Sequence, residues 1–171
     1  MLHMIPHGPE NGSETETPLV IAHGLFGSGR NWGVIAKRLA NHRQVIALDM
    51  RNHGASPWYE DQSYHALAAD IAAVAKSLGQ PIDLLGHSMG GKAAMVAALS
   101  GTPIRRLIVA DIAPVRYTHS QQPVIDAMQS VPLNHITSRA EADQALSAHI
   151  DDPAMRSFLL QSLEINARRW R

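Results

Sequence analysis

Short apolar runs rich in β-branched residues alternate with amphipathic stretches along the first part of the chain. Four runs predict strands, at residues 18–22, 44–48, 81–85 and 104–110. Three stretches between them predict helices, at residues 31–42, 64–78 and 92–99, and Ser63 stands where it can cap the second helix. This alternation predicts right-handed crossovers and a mostly parallel sheet with helices on both faces. The first residues (LHMI) could add one edge strand.

The pattern changes after Pro114. Residues 124–128, 140–150 and 154–163 have helical spacing, and no run beyond Pro114 predicts a strand. Ser138 and Glu141 have the spacing of a capping box at the start of one helix. The polar residues 9–17 predict a loop. We therefore predict two parts, an α/β part at residues 1–117 and a helical part at residues 118–171.

Composition excludes several classes of protein. The 171 residues contain no cysteine, which excludes a disulfide scaffold, a thiolate metal site, an iron–sulfur cluster and a cysteine nucleophile. Fifteen basic and fifteen acidic residues balance, which argues against a generic nucleic-acid binder. The ten histidines are scattered, and we expect no metal site. No apolar run predicts a membrane span, and no secretory signal is recognisable, so we expect a cytoplasmic protein.

The strongest chemical signal is the pattern Gly-x-Ser-x-Gly at residues 86–90, between a predicted strand and a predicted helix. In this context the serine occupies a sharp, strained turn and projects its Oγ above the sheet. Gly86 and Gly90 let the strand and the helix approach closely, and the helix N-terminus directs the N–H of Met89 towards a developing oxyanion. We predict Ser88 to be a nucleophile. The alternative is a structural turn with an incidental serine.

A glycine-rich segment, His23-Gly24-Leu25-Phe26-Gly27, follows the predicted strand at residues 18–22. A loop at this position supplies the second backbone N–H of an oxyanion hole. We predict Leu25 to be this donor, with Phe26 as the less favoured alternative, and Gly24 to give the loop its flexibility. Because the base comes last in the expected chain order, we expect His23 to hold the loop by hydrogen bonding rather than to act as the base.

Asp111 follows the last predicted strand and is the best candidate for the acid that orients a catalytic base, because the expected order is serine, acid, histidine. The alternative is that Asp111 only caps the next turn. The base itself is not evident. Downstream of Asp111 the histidines are His119, His135 and His149, all in or before the helical part.

For other charged residues we predict structural rather than catalytic roles. We expect Asp49 and Arg51 to brace a loop whose turn is formed by His53-Gly54. Three arginines could meet a coenzyme A phosphate, but we favour solvated surface charge for them: Arg105, Arg106 and Arg116.

The segments HGLFGSGRNW, DMRNHGASP, GHSMGG and VADIAPVRY together resemble the α/β-hydrolase superfamily, and within it the group of YbfF-type and ABHD11-type esterases and acyl-CoA thioesterases. The resemblance runs from about residue 3 to the last residue and is sharpest at residues 18–117. It implies an α/β-hydrolase fold, with Ser88 as the nucleophile, Asp111 as the acid and residues 118–171 as a helical cap lining an acyl pocket.

Members of this group continue beyond the cap through two more strands and a C-terminal helix, with the catalytic histidine in the loop before that helix. The resemblance therefore implies that the triad histidine is not in this chain, which would be an N-terminal piece of a hydrolase. We expect the sheet edge left open in such a piece to be prone to aggregation.

The resemblance implies a serine hydrolase that cleaves small carboxylic esters or acyl thioesters through an acyl-enzyme on Ser88, without a metal or redox cofactor. Its oligomeric state is open. One alternative is a cofactor-free haloperoxidase or perhydrolase-like activity at the same residues. Another is a catalytically incomplete fragment or binding module. Dinucleotide binding is disfavoured, because no Gly-x-Gly-x-x-Gly follows the first strand.

Overall fold

The computed structural model describes residues 1–8, 16–118 and 120–171. Residues 9–15 of the predicted loop and His119 lie outside this part of the chain. The described residues form two compact units, Met1–Pro114 and Val115–Arg171.

The first unit is built around a five-stranded sheet with the strand order β1-β3-β2-β4-β5. The strands are β1 (His3–His7), β2 (Leu19–Ala22), β3 (Val45–Asp49), β4 (Ile82–His87) and β5 (Ile104–Ala110). Strands β2 to β5 are parallel, and β1 pairs antiparallel with β3. The mostly parallel sheet and its four predicted strands are confirmed, and the first residues do form an edge strand.

The helices of the first unit follow the predicted stretches with different ends. They are α1 (Gly33–Leu39), preceded by a 3-10 turn at Gly29–Trp32, then α2 (Tyr64–Leu78) and α3 (Met89–Leu99). Ser63 caps α2 as predicted, since its Oγ accepts the N–H of Ala66 at 3.2 Å. Helix α3 begins earlier than residue 92, because packing overrides the poor helix propensity of Gly90 and Gly91.

Alternate residues of β2 face opposite sides of the sheet. Val20 and Ala22 pack in the core that contains Ile71 of α2 and buried alanines of α3. Leu19 and Ile21 pack in a second core with residues of α1. Helices therefore cover both faces at the centre of the sheet, as the apolar strands predict.

Strand β5 is more exposed than its apolar sequence predicts. Among the described residues it pairs with β4 alone. Leu107 and Ile108, which as neighbours in a strand point to opposite faces, are 38% and 46% exposed. The apolar run correctly predicts a strand, but its cover depends on neighbouring elements, which its own residues do not specify.

The second unit contains the helices α4 (Gln122–Ser130), α5 (Arg139–Ser147) and α6 (Pro153–Leu159), with a 3-10 turn at Leu160–Ser162. The expectation that no strand follows Pro114 is wrong. Strands β6 (Leu163–Glu164) and β7 (Arg169–Trp170) pair antiparallel. Strands of two residues are too short to show a period. Side chains support the ladder: Arg169 Nε donates to Glu164 at 3.0 Å, and Trp170 Nε1 donates to the carbonyl of Met128 at 2.9 Å.

The predicted capping box at α5 forms only in part. Ser138 Oγ accepts the N–H of Glu141 at 3.3 Å, as expected for a capping serine. The Glu141 carboxylate, however, accepts the N–H of Thr137 at 2.8 Å. In neither unit is a described helix long and apolar enough to cross a membrane.

Candidate active site

The sheet has a switch point between its central strands β2 and β4. From β2 the chain crosses to β3 on one side, and it later enters β4 on the other side of β2 before continuing outward to β5. In open parallel sheets the crevice at the carboxyl ends of such diverging strands is the usual ligand site. The segment after β2 and the turn after β4 both border this crevice.

Ser88 forms the turn between β4 and α3 in a strained conformation. Its φ of 49° and ψ of −115° lie in a region that residues with a Cβ rarely adopt, at a cost of about 1–3 kcal/mol. The flanking elements hold it there, since its N–H donates to the carbonyl of Ala110 in β5 at 3.1 Å. Within the described part of the chain, Ser88 Oγ makes no hydrogen bond, which leaves it available to a base and a substrate.

The glycines around Ser88 lie where a side chain would meet backbone. A Cβ on Gly90 would lie 2.6 Å from the carbonyl oxygen of His23, and one on Gly86 would lie 2.7 Å from the Cα of Gly91. Backbone atoms inside a sheet and a helix cannot move aside. The close approach of strand and helix that exposes Ser88 therefore depends on both glycines.

Residues 24–27 form a tight turn in which Gly27 N–H donates to Gly24 O at 3.1 Å and Phe26 has a φ of 63°. His23 Nδ1 lies 2.7 Å from the same oxygen. Because the C=O and N–H of a trans peptide point in opposite directions, holding Gly24 O directs the N–H of Leu25 away from the turn.

The two candidate donors in this turn are in different states. Phe26 N–H donates to His53 Nε2 at 3.2 Å and is engaged. Leu25 N–H has no acceptor among the residues that the structure describes. The geometry therefore favours Leu25 over Phe26 as a donor to a ligand.

This turn lies against the serine. A Cβ on Gly24 would lie 3.2 Å from Ser88 Cβ and 2.9 Å from His87 Nδ1. Met89 is the first residue of α3, where N–H groups have no acceptor within the helix. The structure thus brings together Ser88, the turn at residues 24–27 and the N-terminus of α3.

Two buried histidines hold this region in place. His23 Nε2 accepts the N–H of Met50 at 2.9 Å, and His53 Nδ1 lies 2.8 Å from the carbonyl of Arg51. Burial, helped by His53, lowers the pKa of His23 to about 4. Burial also lowers the pKa of His53. Backbone groups thus occupy both ring nitrogens of His23, which links the turn after β2 to the end of β3.

The sequence analysis predicted only a role in a turn for His53 and missed its bond to Phe26. The positions of the two histidines could have indicated that they lie close together. His23 follows β2 and His53 lies shortly after β3, and the carboxyl ends of adjacent parallel strands meet at one edge of a sheet.

Asp49 and Arg51 brace the loop after β3. The buried Asp49 carboxylate accepts the N–H groups of Gly29 at 2.8 Å and Ala55 at 2.9 Å, and His3 Nδ1 lies 2.8 Å from it. Burial raises the pKa of Asp49, but these hydrogen bonds outweigh it, so the pKa lies below its usual range. Arg51 pairs with Asp70 of α2 through two bonds of 2.6 and 2.9 Å.

Asp111 directly follows β5, beside the serine turn, and its carboxylate is exposed. It has a φ of 55°, and its side chain is 89% exposed. Its Oδ2 lies 3.7 Å from Nε2 of His87, the residue before Ser88. His135 and His149 are exposed residues of the second unit.

Arg105 is exposed, as predicted, but it is also paired: it donates to both oxygens of the buried Asp83 at 3.0 and 2.9 Å. Arg43 donates to the same carboxylate at 2.6 Å. Asp83 lies near the amino end of β4, whereas Ser88 follows its carboxyl end. Arg106 and Arg116 are exposed. No group of three or more histidine, aspartate or glutamate side chains among residues 1–8, 16–118 and 120–171 could hold a metal ion.

Known proteins are similar to this chain in sequence and in fold. The family model described as the alpha/beta hydrolase family matches residues 19–171. The sn-1-specific diacylglycerol lipase ABHD11 of Mus musculus is 39% identical, over 94% of this chain and 56% of its own length. Esterase YbfF of Escherichia coli strain K12 is 38% identical, over 85% of this chain and 59% of its own length.

Among solved structures, a marine microorganism esterase superposes with a TM-score of 0.87 and 39% identity, covering 95% of this chain and 64% of that one. The chain spans somewhat over half the length of the curated relatives it matches. The match to the family model over residues 19–171 covers most of the chain, and it gives one conclusion: the chain belongs to the alpha/beta hydrolase family.

Proposed function

We propose that the protein is a serine hydrolase that cleaves carboxylic esters or acyl thioesters through an acyl-enzyme on Ser88. The observation that carries this proposal is the strained position of Ser88, between β4 and α3 and against the turn at residues 24–27. A serine in such a turn projects its Oγ above the sheet, where a substrate carbonyl can approach.

In the first step Ser88 Oγ attacks the acyl carbonyl and gives its proton to a base. The carbonyl oxygen becomes an oxyanion that the N–H groups of Leu25 and Met89 stabilise. The tetrahedral intermediate then collapses, and the alcohol or thiol leaves with the proton returned by the base. Water attacks the acyl-enzyme in the same way, which releases the acid and regenerates Ser88.

The base in this mechanism is a histidine that Asp111 orients. Two buried histidines near Ser88 are disfavoured for this role, because backbone groups occupy both ring nitrogens of His23 and of His53. We propose that the triad histidine is not one of these 171 residues. We propose that the second unit is a helical cap segment.

The names of two relatives, an esterase and a diacylglycerol lipase, support the ester part of the proposed substrate class. Because Asp83 holds Arg105, a contribution of that arginine to coenzyme A binding is disfavoured. No structural feature favours the haloperoxidase or perhydrolase alternative.

The experiment compares the rates at which the intact gene product that contains these residues hydrolyses p-nitrophenyl butyrate and butyryl-coenzyme A. We expect the ester to be hydrolysed and Ser88→Ala to abolish the activity, with the circular dichroism spectrum unchanged. A Ser88→Ala variant with the wild-type rate contradicts the proposal. Preferential hydrolysis of the thioester would assign the protein to the thioesterases.

A further inference from the structure

We infer that His53 is a positioning residue for the oxyanion hole, acting through the peptide between Leu25 and Phe26. This inference rests on the proposed function. The observation behind it is the 3.2 Å hydrogen bond from Phe26 N–H to His53 Nε2, which joins the loop after β3 to the turn after β2.

The turn needs this bond because its own sequence does not stabilise its shape. Phe26 has a φ of 63° at the third position of the turn, where a positive φ is usually taken by glycine. A residue with a side chain reaches this region at a cost of about 1–3 kcal/mol. Rotation of the Leu25–Phe26 peptide would relieve the strain and convert the turn to the commoner type with negative φ.

His53 opposes that rotation. The rotation would turn Phe26 N–H away from Nε2 and leave the buried ring nitrogen without its donor. The 2.8 Å contact of Nδ1 with the carbonyl of Arg51 fixes the other end of the ring. With Nδ1 donating to that carbonyl, Nε2 is the acceptor, and the neutral ring favoured by burial is the form that fits.

The adjacent peptide carries the catalytic donor. Gly24 O is held by Gly27 N–H and by His23, and this fixes the Gly24–Leu25 peptide, whose N–H is that of Leu25. The two histidines therefore hold two consecutive peptides of one turn. Loss of the His53 bond releases the second peptide and, through the shared Leu25, loosens the direction of the first.

The test uses two substitutions of His53, each of which can keep only one of its two hydrogen bonds. Glutamine can place its Oε1 near the position of Nε2 and accept from Phe26, whereas asparagine can reach only the Nδ1 position and the Arg51 carbonyl. We expect His53→Asn to lower kcat on the order of 100-fold with little change in KM, as expected for loss of transition-state stabilisation. His53→Gln should recover most of this loss. His42→Asn, at an exposed histidine before β3, is the control and should be neutral.

A second readout separates positioning from general damage to the fold. A trifluoromethyl ketone forms a tetrahedral adduct whose oxyanion mimics the transition state. Its inhibition constant should rise in His53→Asn by the same factor by which kcat/KM falls. Equal kcat in His53→Asn and wild type, or equal losses in the asparagine and glutamine variants, would overturn the inference.

The Ser88→Ala variant separates failure of the proposed function from failure of this inference. If Ser88→Ala retains full activity, the proposed function and this inference both fail. If Ser88→Ala is inactive while His53→Asn is unimpaired, only the inference fails.

If His53→Asn does not fold, nitrogen NMR of the wild-type protein tests the inference instead. We expect the His53 ring to be protonated at Nδ1 and not at Nε2, and a protonated Nε2 at the assay pH would overturn the inference.

Discussion

His23 and His53 meet edge to face, with ring centroids 5.1 Å apart and ring planes at 68°. Each ring accepts a backbone N–H from the segment that carries the other ring. His23 Nε2 accepts the N–H of Met50 at the end of β3, and His53 Nε2 accepts the N–H of Phe26 in the turn after β2. The second nitrogen of each ring lies against a carbonyl of its own segment. Two neutral imidazoles thus cross-link the loops after β2 and β3, and a doubly protonated ring could not accept either N–H.

This arrangement predicts that the protein loses stability in mild acid. The pKa of His23 is about 4 in the folded state against 6.5 for an ordinary histidine, so between these values the unfolded chain binds the proton more readily. The His23 contribution is fully present above the unfolded pKa and is lost as the pH falls towards the folded pKa. Its size is roughly 3 kcal/mol.

Denaturant unfolding across this pH window measures the effect. Wild type should lose more unfolding free energy than His23→Gln, which has no imidazole to titrate at this position. Parallel curves for the two proteins would contradict the assignment of a depressed pKa to His23.

Gly90→Ala should disrupt the serine turn. Its new Cβ would press on the backbone of Ala22 and His23, and overpacking of this kind costs about 1–3 kcal/mol. Gly33→Ala, where a Cβ meets nothing within 4 Å, is the matched control and should leave stability unchanged or slightly raised. Thermal unfolding of both variants is the measurement, and equal melting temperatures would contradict the steric account.

Asp83→Asn should destabilise the protein without touching catalysis. It leaves Arg43 and Arg105 without their shared carboxylate, and because both arginines are partly exposed and stay hydrated, we expect a modest fall in the melting temperature. Because Asp83 lies at the end of β4 remote from Ser88, kcat per folded molecule should stay at the wild-type value. A variant with normal stability and reduced kcat would reverse the assignment. Glu60→Gln, at an exposed acid, is the control.

Asp111→Asn tests the acid. If the carboxylate orients the base, kcat should fall by about 10⁴-fold, the loss seen when a triad aspartate becomes an amide. If Asp111 only caps the next turn, the melting temperature should change and kcat should not. Steady-state kinetics together with thermal unfolding distinguish these outcomes.

Local sequence patterns predicted the features that depend on local physics. The apolar runs placed the four parallel strands, Ser63 marked the start of α2, and the glycine spacing placed the turn at Ser88. Features set by distant partners were missed. The exposure of Leu107 depends on what lies beside β5, the β6–β7 ladder has two residues in each strand, and the role of His53 depends on a donor 27 positions away.

The most direct measurement is the intact mass of the gene product before and after reaction with a fluorophosphonate, followed by mapping of the modified residue. A serine activated in the proposed way should give one adduct per chain, located on Ser88, and Ser88→Ala should give none. An unmodified wild-type protein, or an adduct that persists in Ser88→Ala, would contradict the assignment of Ser88 as the nucleophile.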